Sequence, residues 1–372
     1  MIVVKHQGVH QDHTGYGEAN RNEVAALHTA GIDVAVDTVH QVREKSSFGW
    51  TGELCKQLEG RNIPYKIKII HLTPDLYKNY MEDGVYHISR LFWETDSLPA
   101  GWADACNQMG EIWASSPNMA ELFKANGVRV PIYSFPQPID ITHADKNYTK
   151  FSVSHHSGFL FYAIFQWIDR KNPRALLTAF WEAFKGRDDV ALLLKTFRLS
   201  YDEGEYEKIR DDIRQWKSAL PMGHYPKILL VNKILTQEEM YKLHTTGDCF
   251  VQADCGEGWS RTVQEALLMG KPVIATSRGG IHEYLQEEHY FKIPSKYVPV
   301  REVNWIKFYT KDQKWAEIDK EKLKLAMLYC YNNRILAGAK GIVAKQFIKH
   351  NFSYAQIGNK MRERLEKIQK TL

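Results

Sequence analysis

The chain is predicted to be an α/β protein of two doubly wound, Rossmann-like units, and three observations predict it. Short apolar runs alternate with longer amphipathic stretches along most of the sequence, the pattern of strands and crossover helices in a parallel sheet covered on both faces. The length of 372 residues suits two domains of roughly 100 to 200 residues each. The periodicity lapses once, around a proline-rich segment near residue 140, and then restarts.

In the first unit the strand candidates, all short runs, are Ile2 to Lys5, Asp33 to Val39, Lys66 to Leu72, Val85 to Phe92, Glu111 to Ala114 and Val130 to Ser134. Helices are expected at Glu18 to Ala30, Gly101 to Gln108 and Asn118 to Asn126, the last stopped by Asn126-Gly127. Phe135-Pro136-Gln137-Pro138-Ile139-Asp140 and the polar stretch Thr142 to Ser157 place the boundary, giving units 1–150 and 151–372. The second unit restarts with strand Phe159 to Gln166. It continues through helix Pro173 to Lys185, strand Val190 to Lys195, helix Glu205 to Ser218, strand Lys227 to Val231 and helix Gln237 to His244. Strand Cys249 to Ala253, helix Thr262 to Met269 and strand Pro272 to Ala275 follow. Ile357, Met361, Leu365, Ile368 and Leu372, spaced by three and four, describe an amphipathic last helix.

The formal charge of +5 is mild and divides unevenly: 14 basic and 18 acidic side chains (−4) lie in 1–150, and 35 and 26 (+9) in 151–372. From residue 340 onward eight Lys and Arg face two Glu, so +6 of that excess lies in the tail. The plain reading of the last helix is a docked stripe with solvated charges. The other is peripheral membrane contact through its basic face. Cys55, Cys106, Cys249, Cys255 and Cys330 are odd in number and contain no C-x2-C pair, against a disulfide framework or a zinc site. With no signal-peptide pattern at the N-terminus and no run of about 18 apolar residues, a cytoplasmic chain is expected, peripheral at a membrane at most.

Two loops stand where chemistry is expected. His13-Thr14-Gly15-Tyr16-Gly17-Glu18 follows the first strand and opens a helix. Gly15 and Gly17 there let a backbone approach a ligand or simply make a tight turn. His6, His10 and His13 lie nearby, but no acidic pattern marks them as a metal site. Asp254 to Glu265 follows the strand Cys249 to Ala253, at a carboxyl end where open α/β sheets bind ligands. Its Gly256 and Gly258 flank Glu257 and would let amides face a phosphate or sugar. Glu265, eight residues on, either holds a ribose diol or closes a capping box with Thr262.

The run Gly256-Glu257-Gly258-Trp259-x5-Glu265-Ala266-x3-Gly270-x-Pro272-Val273-Ile274-Ala275-Thr276 resembles the E-x7-E signature of retaining glycosyltransferases of family 4, which have the GT-B fold. Phe165 to Pro173, with Arg170-Lys171, resembles that family's donor-phosphate segment, and Thr14-Gly15-Tyr16-Gly17 its N-terminal glycine loop. Trp93 to Trp102 and Trp113-Ala114-Ser115-Ser116 resemble acceptor-domain segments of one branch. The ordered set spans nearly the whole chain.

The resemblance implies two Rossmann-like domains facing a cleft, with the C-terminal helix crossing back to the first. It implies a hexosyltransferase that moves a sugar with retention from a nucleotide diphosphate sugar to an acceptor hydroxyl, without a metal or other cofactor. Arg170 and Lys171 would neutralise the leaving diphosphate. Glu265 would hold the ribose, and Glu257, with the amides around Gly256, Gly258, Trp259 and Ser260, would position the sugar. Asn232 to Leu235 would lie along the base, and His71 would either contact the sugar from the first domain or be a satisfied structural histidine. The arginine usual before Arg170-Lys171 is replaced by Gln166 or Trp167, and Lys195 is one candidate to take over its phosphate contact; Ser260 and Thr262 stand where glycine and proline are common. The acceptor stays open among glycan, lipid-linked and nucleic-acid hydroxyls or bases. A GT-B sugar-nucleotide epimerase and a non-catalytic sugar-nucleotide binding protein are the readings in other classes.

Overall fold

The computed structural model describes residues 2–39, 48–153, 158–301 and 306–372. Two six-stranded parallel sheets form its two halves. The first has the order β2-β1-β3-β4-β5-β6, with β1 Val3–Gly8, β2 Asp33–Thr38, β3 Ile67–His71, β4 Tyr86–Leu91, β5 Glu111–Ala114 and β6 Ile132–Ser134. Every residue of β3 is buried, which follows from helices covering both faces of the sheet. The helices are α1 Gly15–Thr29, α2 Gly49–Leu58, α3 Trp102–Cys106 and α4 Pro117–Ala125.

The second sheet is built from β7 Phe159–Gln166, β8 Val190–Phe197, β9 Lys227–Val231, β10 Cys249–Gln252, β11 Val273–Thr276 and β12 Phe291–Ile293. Its order is β12-β11-β10-β7-β8-β9. Helices α5 Pro173–Ala183, α6 Glu203–Ser218, α7 Gln237–Thr246 and α8 Arg261–Leu268 connect these strands. An antiparallel pair, β13 Ser295–Pro299 and β14 Lys314–Ile318, and helices α9 Lys320–Asn332, α10 Arg334–Asn351 and α11 Tyr354–Gln369 complete the chain.

In the first sheet β1 lies between β2 and β3, and in the second β7 lies between β10 and β8. These are the switch points at which chains leave in opposite directions and open a crevice beyond the strand ends. The loop after β1, the turn after β7 and the loop after β10 therefore all sit where the sequence places its chemistry.

α11 belongs to the second part by sequence and to the first by packing. Tyr354, Ile357, Met361, Leu365 and Ile368 join the core of α1, β1 and β2. Gly358 lies so close to α1 that a Cβ would come within 2.1 Å of the Ala26 carbonyl oxygen. The crossing back expected of the GT-B fold is thus present, and it leaves α11 no apolar face for a bilayer. Among the described residues no helix is long and apolar enough to cross a membrane, and all five cysteines are buried and unpaired.

The sequence reading gave no elements between Thr276 and Gln356, where the structure has β12, β13, β14, α9 and α10, and it missed α2. The expected helix Gly101 to Gln108 shrinks to α3, five residues entered through Gly101 at φ +79°. Part of the boundary stretch Thr142 to Ser157, residues 154–157, lies outside the described residues.

Candidate functional site

The switch-point loops enclose a cavity of about 420 Å³. His13, Thr14, Gly15, Tyr16 and Glu18 line it from the first half; Arg170, Lys171, Lys195 and residues 257–262 with Glu265 line it from the second. Ile234 and Leu235 border it as well, where the base was expected. Of the predicted residues, Gly17, Gly256, His71, Asn232 and Lys233 do not line the cavity.

Arg170 and Lys171 occupy a one-turn 3-10 helix after β7, closed by Asn172 in the left-handed conformation at φ 52°. Both already have anionic partners. Arg170 Nη1 donates to the Gly256 carbonyl at 2.6 Å and to Glu257 Oε1 at 3.1 Å, with Glu94 3.8 Å away. Lys171 Nζ donates to Asp254 Oδ2 at 2.8 Å and pairs with Glu257. Burial pulls the Lys171 pKa down, and burial raises that of Asp254. Lys195 stands at the end of β8, where Nζ donates to the Tyr201 hydroxyl at 2.5 Å, and burial pulls its pKa down to about 8.

Glu265 sits in α8 beside His244 Nε2 at 3.4 Å and Arg261 Nη2 at 3.4 Å. The same Arg261 nitrogen donates at 2.7 Å to Glu18, which comes from α1 of the other half. Burial and then the Glu18 charge push the Glu265 pKa well up. Burial opposes ionisation of Glu18 too, but Arg261 and Arg21 outweigh it and hold its pKa low. The capping-box alternative for Glu265 is not realised: α8 starts after Ser260, whose side chain makes no cap bond. Ser260 adopts φ +74°, the left-handed region that explains why glycine suits this position. Its Oγ accepts from Gln252 Nε2 at 3.2 Å.

The glycines of this loop do something other than expected. A Cβ at Gly256 would lie 2.2 Å from the Glu94 carbonyl oxygen, and one at Gly258 would lie 2.7 Å from Phe92 Cβ. They are small so that the two halves can touch, and Ser115 Oγ donates to the Gly258 carbonyl at 2.7 Å across that contact. Gly17 belongs to the first turn of α1, its N–H directed at the capping Thr14 Oγ1, and Gly15 has open space around it in the cavity wall. Trp259 is buried, with Nε1 donating to Gln264 Oε1 at 2.9 Å.

His71 is one layer behind the wall. Its fully buried ring packs edge-on against Tyr16 at 5.0 Å and lies 5.3 Å from Phe92, both of which line the cavity. His71 Nδ1 lies 3.1 Å from Glu23 Oε2, which accepts from Arg90 Nε at 3.0 Å. Direct contact of His71 with a sugar is therefore corrected to a place behind Tyr16. His6, Glu23 and His71 are a trio that could hold a metal ion. Buried Arg90 already balances the one carboxylate, so a dication would add uncompensated charge to a dry interior. His13, grouped with His6 and His10 in the sequence, lies apart against Phe48.

Glu18, Arg261, His244 and Tyr201 belong to the site and were missed. Glu18 and Arg261 lie within the two loops singled out in the sequence, but only the packing of the two halves brings them together.

This architecture is the GT-B fold. Residues 158–299, in the second half, match the family model described as glycosyl transferases group 1. No curated protein sequence matches the chain. Among solved structures, Anabaena HepE in complex with UDP and glucose superimposes with a TM-score of 0.68 at 14% identity, covering 99% of this chain and 100% of its own. Sucrose-phosphate synthase from Thermosynechococcus elongatus gives 0.71 at 13%, covering 100% of both chains. A glycosyltransferase from Rickettsia africae gives 0.67 at 16%, again covering 100% of both.

Proposed function

We propose that the chain transfers a hexose-type sugar from a nucleotide diphosphate sugar to an acceptor hydroxyl, with retention at the anomeric carbon and without a divalent metal. The observation that carries this reading is the convergence of Arg170, Lys171, Lys195 and Glu265, from three separate elements, on one cavity at two facing switch points. Three cations there match a diphosphate leaving group, whose growing charge they would stabilise in place of a metal ion. Anabaena HepE is described in complex with UDP-glucose, which makes a uridine diphosphate hexose the first donor to test.

Glu257 takes a specific part in this reading. It pairs with both Arg170 and Lys171, so a diphosphate arriving between them displaces it and leaves its carboxylate beside the sugar. Arg170 and Lys171 then hold the leaving group. Glu265 accepts from the ribose diol in its ionised form.

The test is turnover of UDP-hexoses with a panel of acceptors, in excess chelator and in magnesium. Equal rates in both, a product whose anomeric configuration matches the donor's, and a loss of about 10²–10³ in kcat for Lys171→Ala are expected, the size usual for removing one transition-state charge contact. A divalent requirement would overturn the metal-free reading. Isomerised donor instead of transferred sugar would identify an epimerase, and binding without turnover a sugar-nucleotide binding protein.

A further inference from the structure

The two faces of α10 are exchanged relative to an ordinary surface helix. Towards the core it presents Ala337, Gly341, Ala344 and Ile348, all buried. Gly341 packs so closely on the turn after α8 that a Cβ would stand 2.2 Å from the Gly270 carbonyl oxygen. The bulky residues point the other way: Ile335 is 89% exposed, Ile342 61%, Leu336 59% and Val343 47%. A surface helix normally does the reverse, and scattered exposed apolar residues need no account, but a contiguous face of them does.

The arrangement of that face has a shape. Ala339 is exposed, and its neighbours on the helix surface, three and four positions away in either direction, are Ile335, Leu336, Ile342 and Val343. A small residue ringed by four large apolar ones is the hole into which a facing helix inserts a side chain. On the preceding helix α9, Leu325 and Tyr329 are exposed as well. α10 is about 27 Å long and each helix about 10 Å wide, so the surface is of the same order as the ~800 Å² a standard interface takes from each partner.

We propose that this α9–α10 face is the contact between two copies of the chain, with the α10 helices packed antiparallel about a two-fold axis at Ala339. A two-fold contact needs a surface complementary to itself, and the rim supplies both signs. Arg334, Lys340, Lys345 and Lys349 lie on α10. Asp145 pairs with Lys345 and Lys349, and Lys340 donates to the Glu287 carbonyl. A membrane-seated helix would instead carry a one-sided basic belt. The inference rests on the helix faces alone and not on the transferase reading.

The experiment is sedimentation equilibrium of the full chain and two variants. The wild type is expected to give the mass of two chains, and Ile335→Glu/Ile342→Glu the mass of one with an unchanged circular dichroism spectrum. Ala339→Trp fills the hole but keeps the face apolar, and it too is expected to give single chains. A wild-type chain that stays single up to about 100 µM, or a pair that both variants leave intact, overturns the proposal. So does a single chain that floats with phosphatidylglycerol vesicles and still floats as Ala339→Trp, which would assign the face to a membrane. Donor turnover by the variants is read separately, so failure of the transferase reading leaves this outcome untouched.

Discussion

Lys195 shows how much a single residue's setting decides. It reaches the cavity from the end of β8, and burial lowers its pKa to about 8, so it is charged at neutral pH and largely neutral at pH 9. Only the charged form attracts a diphosphate. The affinity for UDP, measured by calorimetry, is therefore expected to fall about tenfold between pH 7 and 9 in the wild type, whereas Lys195→Met binds weakly and equally at both. At this scale the ordered motifs were informative: Arg170, Lys171, Lys195 and Glu265, to which the resemblance gave roles, all line the cavity. They were uninformative about His71, whose distance from the cleft depends on Tyr16 packing in front of it. The glycines misled in a different way. Gly256 and Gly258 sit in the expected loop, yet the atoms that crowd them belong to Glu94 and Phe92, more than 150 residues earlier.

Among the elements, α11 was legible and α10 was not, for one physical reason. In α11 the large apolar residues face the core, so Ile357, Met361, Leu365 and Ile368 write their spacing into the sequence. In α10 the core-facing residues are mostly small, and the bulky ones face out, so the periodicity that marks an amphipathic helix points to the wrong side. Strand β13 reads Ser-Lys-Tyr-Val-Pro and none of its residues is buried, so no apolar run marks it in the sequence. The docking of α11 makes its own prediction. Leu365 is fully buried between α11 and the first sheet's core, and Leu365→Ala is expected to cost about 2–5 kcal/mol in urea unfolding. If the stripe were merely laid on the surface, the same change would fall within about 0.5 kcal/mol.

At the scale of the whole molecule, the two halves meet through a shared guanidinium. Arg261 Nη2 lies 2.7 Å from Glu18 of the first half and 3.4 Å from Glu265 of the second. One cation thus serves two carboxylates, and the pair titrates as a unit: Arg261 and Arg21 lower the Glu18 pKa against its burial, while burial and the Glu18 charge raise that of Glu265. In the proposed function Glu265 accepts hydrogen bonds from the ribose, which its ionised form does better. Acid should therefore weaken donor use, since protonated Glu265 loses that acceptor, and the limb should lie above the ordinary carboxylate range because the Glu265 pKa is raised. Replacing Glu18 by Gln removes the repelling charge and leaves Arg261 to Glu265 alone, so the Glu265 pKa must fall. The expected result is a kcat/KM profile whose acid limb moves to lower pH in Glu18→Gln, even if the lost link between the halves lowers the plateau. A plateau that drops while the limb stays in place would mean that Glu18 only fastens the halves together and that some other group sets the acid limb.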